Sequence, residues 1–103
     1  MTDQRNTLGI DFADNPAEQR IEARIDGQLA GFVAYDDSGG RKQPLRLVHT
    51  EVLPAFEGRG VAGALARHVL DGARSRGERV VPACSYIATW IERHPDYAGL
   101  VAG

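Results

Sequence analysis

Antiparallel strands followed by a strand–helix–strand–helix unit form the architecture that this sequence predicts, a mixed α/β (α+β) domain with one parallel strand pair. Three observations predict it. Ile21, Ala23 and Ile25 alternate with Glu22, Arg24 and Asp26, then Asp26-Gly27 leads into a second apolar run, the pattern of a hairpin. Val61, Leu65, Val69 and Ala73 recur at helical spacing, with Ala62, Ala66 and Leu70 beside them. Between hairpin and helix lies Glu57-Gly58-Arg59-Gly60-Val61-Ala62-Gly63, with glycines at a strand-to-helix junction.

The elements follow in order. Residues 1–18 are polar, and Asp14-Asn15-Pro16 is a turn signal, so they read as a loosely held lead-in with a short edge strand at Leu8–Phe12. A strand from Arg20 and another over Leu29–Tyr35 meet at Asp26-Gly27, which suits a type I′ turn. Asp36 to Gln43 reads as a flexible solvated loop. Leu45–Val52 is rich in β-branched and apolar residues and is expected to pair antiparallel with the hairpin, ending at Pro54, which cannot donate to a ladder. The helix after the glycines is expected to stop at Gly77, with Arg74 and Arg76 favoured near its C-terminus. Arg79–Cys84 reads as a short buried strand, which a right-handed crossover lays parallel to Leu45–Val52. Ser85 is the expected N-cap of a last helix reaching about Arg93, stopped by His94-Pro95.

Bulk composition narrows the function classes. The 103 residues fit one domain, and 43% hydrophobic with 25% charged residues is an ordinary globular balance. A formal net charge of −2 argues against nucleic acid as the main partner. No apolar run is long enough to span a bilayer, and the N-terminus lacks the apolar core of a signal peptide. The single Cys84 excludes an internal disulfide; these features together favour a reducing, cytoplasmic setting.

The glycine turn points to an anion. Backbone N–H groups at such a turn, backed by a helix N-terminus, favour a phosphate-bearing ligand. Gly58, Gly60 and Gly63 match the G-x-G-x-x-G dinucleotide spacing. Yet Leu53-Pro54-Ala55-Phe56-Glu57 separate strand from glycine, and Glu78 precedes the next strand instead of ending it, so a dinucleotide fold fits poorly. A glycine turn that merely permits a tight connection is the plainer alternative. Val52-Leu53-Pro54-Ala55-Phe56-Glu57-Gly58-Arg59-Gly60-Val61-Ala62 resembles the V-x-P-x-x-R/Q-G-x-G-x-G/A signature of the Gcn5-related N-acetyltransferases (GNAT). From Arg20 to the C-terminus the chain is similar to the small single-domain GNAT-like subgroup typified by YjdJ. His49-Thr50-Glu51-Val52, Pro82-Ala83-Cys84 and His94-Pro95-Asp96-Tyr97 share in that resemblance.

The resemblance implies a GNAT-like mixed sheet, acetyl-CoA (coenzyme A) as cofactor and an amine as acetyl acceptor. The cofactor's diphosphate would lie on Gly58, Arg59, Gly60, Val61, Ala62 and Gly63. A backbone N–H of Val52 or Leu53 would meet the oxyanion, since Pro54 has none. Glu57 stands where most members carry Arg or Gln, and the N-terminal helices that wall the acceptor site in larger members are missing. His49 and Glu51 share one face of their strand by its period of two, and the pKa range of His49 suits a base. Cys84, just before a helix N-terminus, would face His49 where the two strands splay, as an acetyl-cysteine nucleophile or as part of a polar pair. Tyr86 and Tyr97 are candidates to protonate the departing thiolate, against a packing role for each. His94 is expected at the end of the last helix, and Ile87 and Trp90 in the core.

Overall fold

A computed structural model describes residues 9–36 and 44–102. Five strands, β1 (Asp11–Asn15), β2 (Arg20–Ile25), β3 (Gln28–Asp36), β4 (Leu45–Val52) and β5 (Val80–Pro82), form one sheet in sequence order. Helix α1 (Val61–Ser75) connects β4 to β5, and α2 (Ser85–Arg93) follows β5. The first four strands are antiparallel neighbours, whereas β4 and β5 run parallel through Leu45↔Val80, Arg46↔Val81 and Leu47↔Pro82. This is the mixed GNAT-like sheet that the sequence predicts. Among the described residues no helix is long and apolar enough to cross a membrane.

Asp26 and Gly27 both have positive φ, 52° and 80°, as the two-residue type I′ turn requires. Gly77, at φ 71°, follows the C-cap Arg76 and ends α1 where expected. β5 holds only Val80–Pro82 of the expected Arg79–Cys84, and two further boundaries differ from the sequence expectation. The first strand is Asp11–Asn15 instead of Leu8–Phe12, and Leu8 itself lies outside the described residues. Pro16 favours an extended Asn15, so the chain turns after the proline, where the Asn15 side chain accepts from Glu18 N–H at 3.3 Å. The lead-in is therefore anchored from Ile10, a buried core residue. The second difference is at α2, whose N-cap is Cys84 and whose first helical residue is Ser85. The Cys84 N–H donates to Leu47 carbonyl at 2.9 Å, which holds Cys84 extended as the cap, so the helix begins one residue earlier than expected. Residues 37–43 of the expected loop lie outside the described residues.

Cross-strand pairing assigns the two faces. Ile21, Ala23, Val33, Tyr35, Leu45 and Leu47 are buried beneath Val61, Leu65, Val69 and Leu70 of α1 and Ile87 of α2. The opposite face carries Arg20, Glu22, Phe32, Ala34, His49 and Glu51, and no described helix lies over it. A bulge in β4 sets this division: Ala34 pairs with His49 and Tyr35 with Leu47, leaving Val48 as the extra, exposed residue. Beyond it Thr50 and Val52 face the helices while His49 and Glu51 face the open side. Close approach of β3 to β4 explains Gly31, since a Cβ there would come within 2.6 Å of the Glu51 carbonyl oxygen.

Candidate acyl-cofactor site

Pro54 stops β4, and a short 3-10 turn over Pro54–Phe56 buries Phe56 and swings the chain toward α1. Gly58 and Gly60 both sit at φ 80°, the left-handed conformation that glycine adopts without penalty. Gly60 is the N-cap of α1, and the first intrahelical bond runs from Ala64 N–H to Gly60 carbonyl at 3.1 Å. The N–H groups of Val61, Ala62 and Gly63 consequently have no acceptor within the helix. They open on a cleft of about 280 Å³ lined by Val52, Phe56, Glu57, Gly58, Gly60, Val61, Ala62, Gly63 and Tyr86.

Six of the eight residues expected at the cofactor line this cleft. Arg59 does not; its guanidinium lies 5.2 Å from the centre of the Phe56 ring. Leu53 does not either, and packs against the core. Leu53 N–H donates to Ala30 carbonyl at 2.8 Å. Antiparallel alternation then turns the N–H groups of Val52 and Thr50 away from β3, toward the side where β5 has already ended. Of the two expected oxyanion donors, Val52 is the one left open. Thr50, two residues back on the same edge of β4, is a further donor that the sequence expectation does not include.

His49 and Cys84 stand on different sides of β4. His49 Nε2 lies 3.1 Å from Glu51 Oε1, with the Phe32 ring 6.1 Å away, and both polar side chains are about half exposed. Cys84 is buried, and its thiol shares a 3.3 Å hydrogen bond with the Thr50 hydroxyl. No described contact joins His49 to Cys84. A ligand threaded past the end of β5 would meet Thr50 and Cys84 on its helix side, His49 and Glu51 on its open side.

The two tyrosines differ in the same way. Tyr86 is partly exposed and lines the cleft, and burial of its ring raises the phenol's pKa, so it is protonated at neutral pH. Tyr97 is buried; its hydroxyl donates to Asp71 at 2.6 Å and accepts from Arg67 at 3.2 Å, which ties the tail to α1. Its pKa is raised chiefly by burial and then by the Asp71 carboxylate. His94 caps α2 as expected, its Nδ1 2.8 Å from Trp90 carbonyl. Among the described residues no cluster of His, Cys, Asp and Glu could hold a metal ion.

Comparison with known proteins agrees with this geometry. A family model described as GCN5-related N-acetyl-transferase matches residues 20–100, and the chain belongs to that family. It is 36% identical over 69 residues to a streptothricin acetyltransferase of Streptomyces lavendulae; the match covers 67% of this chain and 36% of that protein. Among solved structures it is similar to a ribosomal-protein-alanine N-acetyltransferase from Brucella melitensis biovar Abortus 2308, with 29% identity and a TM-score of 0.51, covering 60% of this chain and 44% of the other. Ard1 from Thermoplasma volcanium shares the fold, at 23% identity and a TM-score of 0.50 over 62% of this chain and 43% of that one. This chain thus spans less than half the length of each of these three relatives.

Proposed function

We propose that this chain is an acetyl-CoA-dependent N-acetyltransferase acting on an amine, either of a small molecule or carried by a protein. The observation that carries the reading is the cleft at the α1 N-terminus, where three free N–H groups and two left-handed glycines converge beside the open end of β4. Charge-assisted hydrogen bonds to diphosphate oxygens contribute about 1.5–3 kcal/mol each, so a few of them with pantetheine contacts reach micromolar affinity, about −8 kcal/mol.

In this reading the cofactor's arm passes between β4 and α2. Its thioester carbonyl is polarised by N–H groups of β4, with Val52 and Thr50 the available donors. The amine approaches from the open sheet face, where no described helix covers His49 and Glu51. Its lone pair attacks the carbonyl carbon, the C–S bond breaks, the amine's proton passes to His49 and the thiolate takes a proton from a neighbouring acid. Tyr97 is committed to Asp71 and Tyr86 lines the part of the cleft assigned to the diphosphate, which leaves solvent water as the acid. Glu51 orients the imidazole through its 3.1 Å contact. Cys84 offers a second route, in which its sulfur takes the acetyl group first.

A non-catalytic acyl-CoA-binding module is the second reading. It is favoured by Glu57, a carboxylate lining the cleft where diphosphate would sit. The two are separated by incubating the protein with acetyl-CoA and a panel of amines and following release of free thiol. Release above background, lowered at least tenfold in His49→Ala, is expected. A CoA-induced rise in melting temperature with no release would refute catalysis, and no rise at all would refute both readings. Acetylated Cys84, sought by mass spectrometry and absent in Cys84→Ala, tests the covalent route.

A further inference from the structure

We propose that Trp90 is a ligand-binding residue whose indole N–H, together with the Tyr86 hydroxyl, completes the diphosphate cradle begun by the N-terminus of α1. The inference rests on the cofactor reading above and adds to it a contact from the side of α2.

The ring of Trp90 is well accounted for. It is 8% exposed, with His94 stacked on it at 3.7 Å, Tyr97 against it edge-on at 5.1 Å and the Arg67 guanidinium 5.4 Å from its centre. Its N–H is not. Among the described residues no acceptor pairs with Nε1, and a buried donor left unpaired costs about 1–3 kcal/mol. The donor lies behind Gly63, against the cleft wall and not among the residues that line it: Nε1 is 3.8 Å from the point a Cβ on Gly63 would occupy, and Tyr86 Oη is at the same distance from that point. Two side-chain donors thus converge on the third residue of α1, whose own N–H is free. Gly63 and Tyr86 both line the cleft. Arg67, one turn further along the same face of α1, adds positive charge behind them.

Convergent neutral donors, a helix N-terminus and a nearby guanidinium suit a ligand bearing several adjacent acceptor oxygens and negative charge. A diphosphate ester has that chemistry. Its two phosphates would take bonds from α1 along the helix axis and from Trp90 and Tyr86 across it. An indole N–H also discriminates, because it donates and never accepts.

Trp90 is the one tryptophan in the chain, so its emission reports on the site directly. CoA, 3′-dephospho-CoA and pantetheine are titrated calorimetrically into the full chain and into Trp90→Phe, which keeps a ring and removes the donor. The expected result is a loss of about tenfold in affinity for CoA and for 3′-dephospho-CoA alike, with pantetheine unaffected. In the wild type, indole emission and the Nε1–H resonance shift as CoA saturates the site. Equal CoA affinity in a folded Trp90→Phe would overturn the proposal, as would a loss confined to CoA, which would move the contact to the 3′-phosphate. Should the variant not fold, an Nε1–H resonance unmoved by saturating CoA in the wild type would overturn it equally. If CoA does not bind but inorganic pyrophosphate still shifts that resonance, the cofactor reading falls and the cradle stands.

Discussion

Replacing Glu22 with Gln is the sharpest test of how the open sheet face is held. Glu22 is 4% exposed although it points away from the helices. Its carboxylate accepts from Asn15 Nδ2 at 2.9 Å, Arg20 Nε at 2.8 Å and Arg24 Nη2 at 3.0 Å. The Asn15 bond and then the Arg20 bond lower its pKa from 4.5 to about 2, against the opposing effect of burial. A depression of that size corresponds to about 3 kcal/mol of stability at neutral pH. The arginines are 25% and 42% exposed, and solvent screening of their charges reduces the expected loss in Glu22→Gln to about 2 kcal/mol. The sign follows from linkage. A carboxyl whose pKa is lower in the folded state stabilises fully above 4.5, and that contribution disappears as pH falls toward about 2. Urea unfolding followed by Trp90 emission at several pH values measures both effects. A variant within about 0.5 kcal/mol of wild type near neutrality, or one that keeps the wild-type acid slope, would refute the reasoning.

Further substitutions probe other parts of the fold. Gly31→Ala would force a Cβ to within 2.6 Å of the Glu51 carbonyl and should lower stability by about 2–4 kcal/mol, read as an earlier midpoint in urea. Gly60→Ala places a side chain at φ 80°, a strain of roughly 1–2 kcal/mol, and should shrink the CoA-induced rise in melting temperature more than the melting temperature itself. His68 stacks on Phe12 at 4.2 Å, and burial lowers its pKa below 6.5. Its imidazole should titrate below 6.5 by NMR, and the native state should lose stability as pH falls through that range because the unfolded chain takes up the proton first.

Periodicity made most of the framework legible. The alternation at Ile21–Ile25, the Asp26-Gly27 pair and the helical repeat from Val61 each reflect a local rule, and each element forms where the rule puts it. The glycine turn was legible for the same reason, since positive φ at Gly58 and Gly60 leaves a mark in residue type. What stayed hidden depends on contacts between distant segments. Counting by twos from Leu47 would turn His49 toward the core, and only the bulge at Val48 puts it on the open side. Glu22 reads as an ordinary solvent-facing residue, because its burial needs Asn15 from one strand and two arginines from its own. The open N–H of Trp90 leaves no trace in a sequence that reads simply as a core aromatic.

Strand order has a kinetic corollary. β1 to β4 each pair with the strand next to them in the chain, so that meander closes through short loops at small entropic cost. β5 reaches β4 only after the whole of α1 has crossed, and it holds three register pairs. A single bridge from Val80 to Val101 then seals its outer edge. By contact order the meander should condense first and the β5–α2 segment, which brings Tyr86 to the cleft, last. The same segment should exchange its amide hydrogens sooner than β2 and β3, and saturating CoA should slow it selectively. Recognition of the cofactor and completion of the fold would then be energetically coupled steps.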